Sequence, residues 1–323
     1  MNLRIGSRGS QLALWQANHI AGLLRVQGHS VKIEIVKTTG DRLQQVAFSQ
    51  VGSKGMFTKE IEEALADGRI DLAVHSLKDM PTDLPEPFVL AATPQRVDPR
   101  DAFVSVKFES LAALPQRTRV GTSSQRRRAQ LKALRPDIEM VEFRGNVDTR
   151  LRKLKEGQVD AILLAAAGLD RLGKTEWIRE RLDPRLFCPA AGQGVLGIET
   201  RIDDAATIAA VQMLDDAQTR FAVTAERAAL AALGGGCQVP IGIYCRNSIE
   251  QAVGREAEQW DEIFGVVADP ETGKAVRVHH RETRHRSHDA GADALTLGQL
   301  AAQMLLEAGA GPLLAEASAG GSR

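Results

Sequence analysis

The sequence predicts an α/β protein built as two domains of similar design followed by a smaller α+β unit. Three observations carry this expectation. The length, 323 residues, exceeds what one hydrophobic core usually organises. Short β-branched runs alternate with helical patterns through the first part of the chain. Beyond Asp203 the pattern changes to alanine-rich helices and strand-like runs.

The elements follow in order. Leu3 to Ile5 reads as a strand, Gly6-Ser7-Arg8-Gly9-Ser10 as a turn, and Gln11 to Gln27 as a helix closed by Gly28. Ala13, Ala17, Ile20, Ala21 and Leu24 recur at helical spacing and should face a core. Val31, Ile33 and Ile35 alternate with charged residues as in a half-exposed strand. Thr58 to Asp67 reads as a helix and Ile70 to His75 as a buried strand, and the pattern as a whole argues for parallel βα units. An internal echo supports two domains: Arg4-Ile5-Gly6-Ser7 resembles Arg119-Val120-Gly121-Thr122, and Gly68-Arg69-Ile70-Asp71 resembles Gly157-Gln158-Val159-Asp160. The intervals between the paired segments differ, which excludes a regular solenoid repeat. Chance similarity between βα units remains the competing explanation. Helices are expected at Ala205 to Leu214, Thr219 to Leu233 and Leu297 to Ala308, with strands at Ile241 to Cys245 and Ile263 to Ala268. The Ala/Gly/Ser-rich stretch from Gly309 to Arg323 should fray.

Charge narrows the partners. Lys+Arg (41) balances Asp+Glu (41), so no whole-protein field favours nucleic acid or a membrane surface. Aromatic residues make up only 4%, too few for stacking on bases, and no helix-turn-helix or RNP-like pattern occurs. No apolar run is long enough to span a bilayer. The reading is a cytoplasmic protein, a monomer, with reduced thiols at Cys188, Cys237 and Cys245.

Four segments carry chemistry. His75-Ser76-Leu77-Lys78-Asp79-Met80-Pro81 places polar side chains past the C-terminal end of an apolar strand, where α/β sheets bind ligands. Asp79 there suits an acid, a base or a cation stabiliser; a helix cap and surface pair is the plain alternative. Thr122-Ser123-Ser124-Gln125-Arg126-Arg127-Arg128 and Arg144-Gly145-Asn146-Val147-Asp148-Thr149-Arg150 each put backbone N–H groups and guanidinium groups at a strand-to-helix turn, which suits carboxylate or phosphate. Solvated surface arginines would look the same. Gly234-Gly235-Gly236-Cys237 ends a helix in a thiol on a glycine turn, fit for a covalent intermediate, although a lone cysteine is more often a small buried hydrophobe. His279, His280, His285 and His288 lack metal-ligand spacing and read as a solvated edge; no metal is expected.

Taken together, these segments resemble porphobilinogen deaminases over nearly the whole chain. The likeness rests on Val74-His75-Ser76-Leu77-Lys78-Asp79-Met80-Pro81, Gly121-Thr122-Ser123-Ser124, Arg144-Gly145-Asn146-Val147, Pro189-Ala190-Ala191-Gly192-Gln193-Gly194 and Gly235-Gly236-Cys237-Gln238-Val239-Pro240-Ile241-Gly242. The resemblance implies a transferase that condenses four porphobilinogen molecules, with loss of ammonia, on a dipyrromethane cofactor held by a thioether to Cys237, and releases hydroxymethylbilane. It implies Asp79 as the catalytic carboxylate. Lys78, Ser124, Arg126, Arg127, Arg144 and Gly145 are expected to hold the cofactor, and Arg8, Phe57, Arg150, Arg171 and Gln193 the substrate. The implied fold is α/β, with two periplasmic-binding-protein-like domains and a smaller α+β C-terminal domain. The expected bounds are 1–98 plus 195–216, 99–194 and 217–323. Residues 42–57 resemble the family's mobile lid. Gln125 and Ser53 depart from the usual pattern, and the region from Asn247 to Ala292 does not align.

Two other functions suit the same features. A solute-binding protein for a polycarboxylate would use the same anion-binding turns, and so would the ligand-sensing part of a regulator. The glycine-borne thiol argues against the first, and neither needs a covalently held pyrrole.

Overall fold

The computed structural model describes residues 1–38, 58–235, 239–250, 258–283 and 289–320. Cys237, Phe57, His285, His288 and the segment 42–57 lie outside the described residues.

The first sheet begins with β1 (Asn2–Ser7), which leads into α1 (Gln11–Val26). Ser10 caps this helix by accepting the Ala13 backbone N–H. Ala17, Ile20, Ala21 and Leu24 are its buried stripe, and each large aliphatic side chain so buried contributes about 1.5–3 kcal/mol. The chain continues through β2 (Ser30–Ile35), α2 (Lys59–Ala66), β3 (Leu72–Ser76) and β4 (Phe88–Ala92). The second sheet is made of β5 (Asp101–Ser105), β6 (Arg119–Gly121), β7 (Glu139–Val141), β8 (Ala161–Ala165) and β9 (Ile178–Arg181). It carries α3 (Gln125–Leu134), α4 (Val147–Lys155) and α5 (Ala166–Arg171). β10 (Leu196–Arg201) then lies between β3 and β4 of the first sheet.

The two sheets have one design. Their orders are β2-β1-β3-β10-β4 and β7-β6-β8-β5-β9. β1 is parallel to β2 and β3, as β6 is to β7 and β8. In each sheet one antiparallel strand, β10 or β5, fills the fourth place. The parallel βα units that the sequence suggested are present in each sheet; each sheet is nevertheless mixed, because β10 and β5 arrive directly after the chain has crossed from the other sheet rather than through a helix.

The internal echo acquires a physical basis at two aspartates. Asp71 accepts the Arg4 backbone N–H (2.7 Å) and pairs with its guanidinium (2.6 Å). Asp160 accepts the Arg119 backbone N–H (3.2 Å) and its Nε (3.3 Å). In both sheets an aspartate just ahead of the third strand thus fastens the first strand.

The remainder adds α6 (Ala205–Gln212), α7 (Ala217–Ala232), a meander of β11 (Ile241–Glu250), β12 (Glu258–Ala268) and β13 (Ala275–Thr283), then α8 (Ala290–Glu307) and α9 (Ala310–Gly320). Phe221, Ala225 and Ala229 of α7 and Leu297, Ala301 and Leu305 of α8 pack on Ile243, Ile263 and Val267. The tail expected to fray is instead helical to Gly320, because Ala310 and Leu313 are buried in this core. Most of the described residues between Asn247 and Ala292 belong to this meander. His279 and His280 sit on β13 and pair with Glu262 (2.7 Å) and Glu282 (3.2 Å).

Candidate active site

The candidate site is linked from the turn after β3 through Gln193 to Asp101 at the start of β5 and the N-terminus of α3, which Arg150 of α4 reaches at Ser123. β3 is an apolar strand whose last residues pass into a single 3₁₀ turn, Leu77–Asp79. Leu77 anchors the turn in the interior, so Lys78 and Asp79 are presented at its end. Asp79 is exposed. Its negative field acts on Lys78 and on Arg127. Lys78 is partly buried, and its ammonium donates to Gln193 Oε1 (3.3 Å). Desolvation brings its pKa down to about 8; Asp79 opposes that fall, whereas Arg127 and Arg126 add to it.

Beneath this turn His75 Nε2 lies 2.9 Å from the carboxylate of fully buried Glu199 on β10. Nearby, burial raises the carboxyl pKa of Glu62.

On the opposite side, Ser124 caps α3, accepting from the Arg127 backbone N–H (3.4 Å). Arg126 and Arg127 follow on the first turn, both only 5–6% exposed. They converge on one carboxylate, Asp101 at the start of β5. Arg126 donates to it at 2.7 and 3.2 Å, and Arg127 at 2.7 and 2.9 Å. Burial would raise the Asp101 carboxyl, yet the two guanidiniums hold it well below the usual carboxylate range. Arg126 also donates to the Cys188 carbonyl (2.6 Å) and Arg127 to that of Leu163 (3.1 Å). The sequence suggested two arginines free for anions. Their hydrogen bonds go to protein, but two cations share one anion, so a net positive charge remains.

Gln193, expected to touch substrate, is fully buried. Its amide nitrogen donates to Pro99 O (2.7 Å) and Asp101 (3.1 Å), while its oxygen accepts from Lys78. The side chain is spent on joining the β3 turn to the Asp101 cluster. Next to it, Gly194 has φ +88°, and a Cβ there would sit 2.7 Å from the Val97 carbonyl, so two chain crossings can touch only at glycine.

Arg150 and Arg171 differ from the Asp101 pair. Arg150 reaches Ser123 Oγ (3.5 Å), and its Nε is buried without a hydrogen-bond partner. Arg171 donates to the Gly194 carbonyl (2.9 Å). Among the described residues no carboxylate forms an ion pair with either. Desolvation takes both down to about 10, which leaves them cationic at neutral pH. Arg144 pairs with Glu142 (2.6 Å). Arg8, after β1, is partly buried. Gly145 has φ +123°, and a Cβ there would lie 2.7 Å from Thr149, so this glycine is demanded by the turn that lets Asn146 cap α4.

Two residues of this region escaped the sequence reading. Asp101 opens a buried run, Ala102-Phe103-Val104, and an acid heading an apolar strand is a signal for a buried arginine partner. Glu226 lies on the buried stripe of alanine-rich α7, where an acid is equally out of place. Its carboxylate meets Arg96 and accepts the backbone N–H groups of Gly192 (2.7 Å) and Cys245 (2.8 Å).

The donors suit a carboxylate-rich ligand: among the described residues, a buried Arg150 Nε without a hydrogen-bond partner and an Arg171 in no ion pair, beside a cationic Asp101 cluster. With Asp79 exposed at the end of β3, the fold and site define a two-sheet α/β clamp for a polyanion, carrying an acid beside its cations. A family model described as "Porphobilinogen deaminase, dipyromethane cofactor binding domain" matches residues 3–209, and one described as "Porphobilinogen deaminase, C-terminal domain" matches residues 220–307. A protein named porphobilinogen deaminase from Nitratidesulfovibrio vulgaris (strain DSM 19637 / Miyazaki F) is 50% identical over 97% of this chain and 96% of its own length. Another of that name from Trichlorobacter lovleyi is 48% identical over 97% and 95%. Among solved structures, the methionine binding protein MetQ aligns at 15% identity over 66% of this chain and 89% of its own, with a TM-score of 0.45. The chain belongs to the porphobilinogen deaminase family. It is a transferase of tetrapyrrole biosynthesis that condenses porphobilinogen on a dipyrromethane cofactor.

Proposed function

We propose that Asp79 is the catalytic carboxylate of this condensation and that the arginines around it divide the carboxylates of cofactor and substrate among themselves. Each addition breaks the aminomethyl C–N bond of the incoming porphobilinogen and releases ammonia. A C–C bond forms to the α-carbon of the preceding ring, and that carbon loses its proton. When bound, the dipyrromethane supplies the terminal ring on which the first unit is added.

Asp79 accepts a pyrrole N–H and stabilises the positive charge that develops at nitrogen as ammonia leaves. Lys78, Arg126, Arg127, Arg144 and Ser124 hold cofactor carboxylates, with Gly145 letting the backbone approach. Arg8, Arg150 and Arg171 take those of the incoming and growing units. Gln193 acts behind them by fixing Lys78 against Asp101. Cys237 and Phe57 keep the roles that the family resemblance implies, a thioether and a ring contact. The observation that carries the reading is the unbalanced positive charge beside Asp79: Arg126 and Arg127 share one carboxylate, while Arg150 and Arg171 pair with none among the described residues.

The domain bounds 1–98 plus 195–216, 99–194 and 217–323 belong to this reading; they are supported by the strand membership of the three sheets. So do a monomeric state, a cytoplasmic location, and the absence of nucleic-acid or membrane partners; the last is supported by zero net charge. Intact mass of the purified protein before and after Cys237→Ser tests the tether. An adduct of two pyrrole units that disappears with the thiol is the expected result, and a bare wild-type chain sinks it.

A further inference from the structure

Trp15 is a large aromatic left partly exposed, at 36%, on the second turn of α1. It stacks on His19, one helical turn further on, with centroids 5.1 Å apart and planes 10° from parallel. The Arg171 guanidinium lies over the indole, 5.9 Å from its centroid. Trp15 follows β1 of the first sheet and Arg171 ends α5 beside the second. The contact therefore bridges the two sheets' units, at a place where Gly168 comes close enough that a Cβ would be 3.8 Å from Leu12.

Asp170, the neighbouring acid, is held by two bonds from Arg181 (2.6 and 2.8 Å); its field favours the charged form of Arg171, but it forms no ion pair with it. Among the described residues one hydrogen bond, to the Gly194 carbonyl, ties the guanidinium down. A long arginine side chain with a single bond has much rotamer freedom to lose on meeting a carboxylate. The indole face supplies the second restraint, since a cation within about 6 Å of a tryptophan centroid is attracted to it.

We propose that Trp15 is a positioning residue for Arg171: its ring holds the guanidinium at the junction of the two sheets, with the unspent N–H donors ready for a carboxylate of the growing pyrrole chain. This rests on the reading of Arg171 as a carboxylate-binding residue. It adds a specificity element, because the restraint exists only while α1 and α5 are together.

The test uses the full-length protein carrying its cofactor, with Trp15→Ala, Trp15→Leu, Trp15→Phe and Arg171→Leu. KM and kcat are measured with porphobilinogen, and native mass spectra record the enzyme-bound intermediates. Trp15→Ala and Trp15→Leu should raise KM about three- to thirtyfold, accumulate the same intermediate as Arg171→Leu, and leave kcat changed less than KM. Trp15→Phe, which keeps a ring face, should restore most of the loss. The inference is overturned if Trp15→Ala keeps wild-type KM and intermediates while Arg171→Leu alters them, or if Trp15→Leu restores function as well as Trp15→Phe does. If Arg171→Leu itself leaves KM and intermediates unchanged, the role given to Arg171 is what fails.

Discussion

Arg96 and Glu226 form a doubly hydrogen-bonded ion pair, at 2.5 and 3.2 Å, in which the carboxylate is fully buried. The pair ties the chain between β4 and β5 to α7, and Arg96 also donates to the Gln193 carbonyl (2.9 Å) and stacks on Tyr244 at 5.0 Å. Both crossings between the sheets and the first strand of the third unit thus meet at one carboxylate. Removing one partner strands a buried charge, which costs about 3–5 kcal/mol. Glu226→Gln should therefore lower the thermal midpoint by many degrees, and Arg96→Leu likewise. Differential scanning calorimetry checks this; a shift of a degree or two in both variants would show that the pair is dispensable.

Asp101 and Asp79 should separate cleanly. Asp101→Asn leaves Arg126 and Arg127 crowded without a counter-charge, so stability falls by about 3–5 kcal/mol and the protein loses pyrrole mass with it. Asp79→Asn, at an exposed position, should change stability by less than about 0.5 kcal/mol yet slow turnover about a hundredfold or more. Asp79→Glu should keep more activity than Asp79→Asn. Ammonia release and urea unfolding on all three variants decide it, and near-normal turnover of Asp79→Asn would return Asp79 to a surface role.

Acid should erode the contribution of the Asp101 cluster gradually. The folded pKa of this carboxyl is depressed, so its stabilisation is complete above the ordinary aspartate range, begins to fall where the unfolded chain takes up the proton, and is fully lost once pH has dropped through the lower folded value. The stability of wild type should thus fall with pH just below the ordinary aspartate range more steeply than that of Asp101→Asn, which lacks the titrating group. A difference between wild type and Asp101→Asn that stays constant as pH falls below the ordinary aspartate range would contradict this.

Alkali should act through Lys78. Its pKa of about 8 means that the ammonium loses its charge as pH rises through that value, and with it the attraction for a carboxylate. KM for porphobilinogen should climb above pH 8, and Lys78→Arg should flatten the rise because guanidinium stays charged. Steady-state kinetics from pH 7 to 9.5 provide the check; an identical KM profile in wild type and Lys78→Arg would remove Lys78 from the binding set.

Arg150→Leu should weaken substrate use without unfolding the protein. Its Nε has no hydrogen-bond partner to lose, and among the described residues its guanidinium makes only a long bond to Ser123. We expect a KM increase of about tenfold or more, the scale of a charge-assisted hydrogen bond, with an unfolding midpoint near that of wild type. A large stability loss with unchanged KM would make Arg150 structural.

Much of this protein is local in origin, and the sequence alone determined it. Period-2 and period-3.6 patterns fix β1, α1 and β3, and the polar triplet at the end of β3 places Asp79 because a strand must stop where its apolar run stops. The echo between Arg4 and Arg119 marks two sheets of one design, since the aspartate clasp that fastens each strand is written in the same few residues. What only the tertiary structure decided are pairings between distant charges. Asp101 meets Arg126 and Arg127, Gln193 turns inward to join Lys78 to that cluster, and Glu226 reaches Arg96 through the packing of α7 on the crossings. Arg171 comes to Trp15 because two helices of different units touch. A side chain's charge and reach are set by its own atoms; whether water or another side chain satisfies it is set by which surfaces the whole chain brings together, and that is where binding arginines part from structural ones.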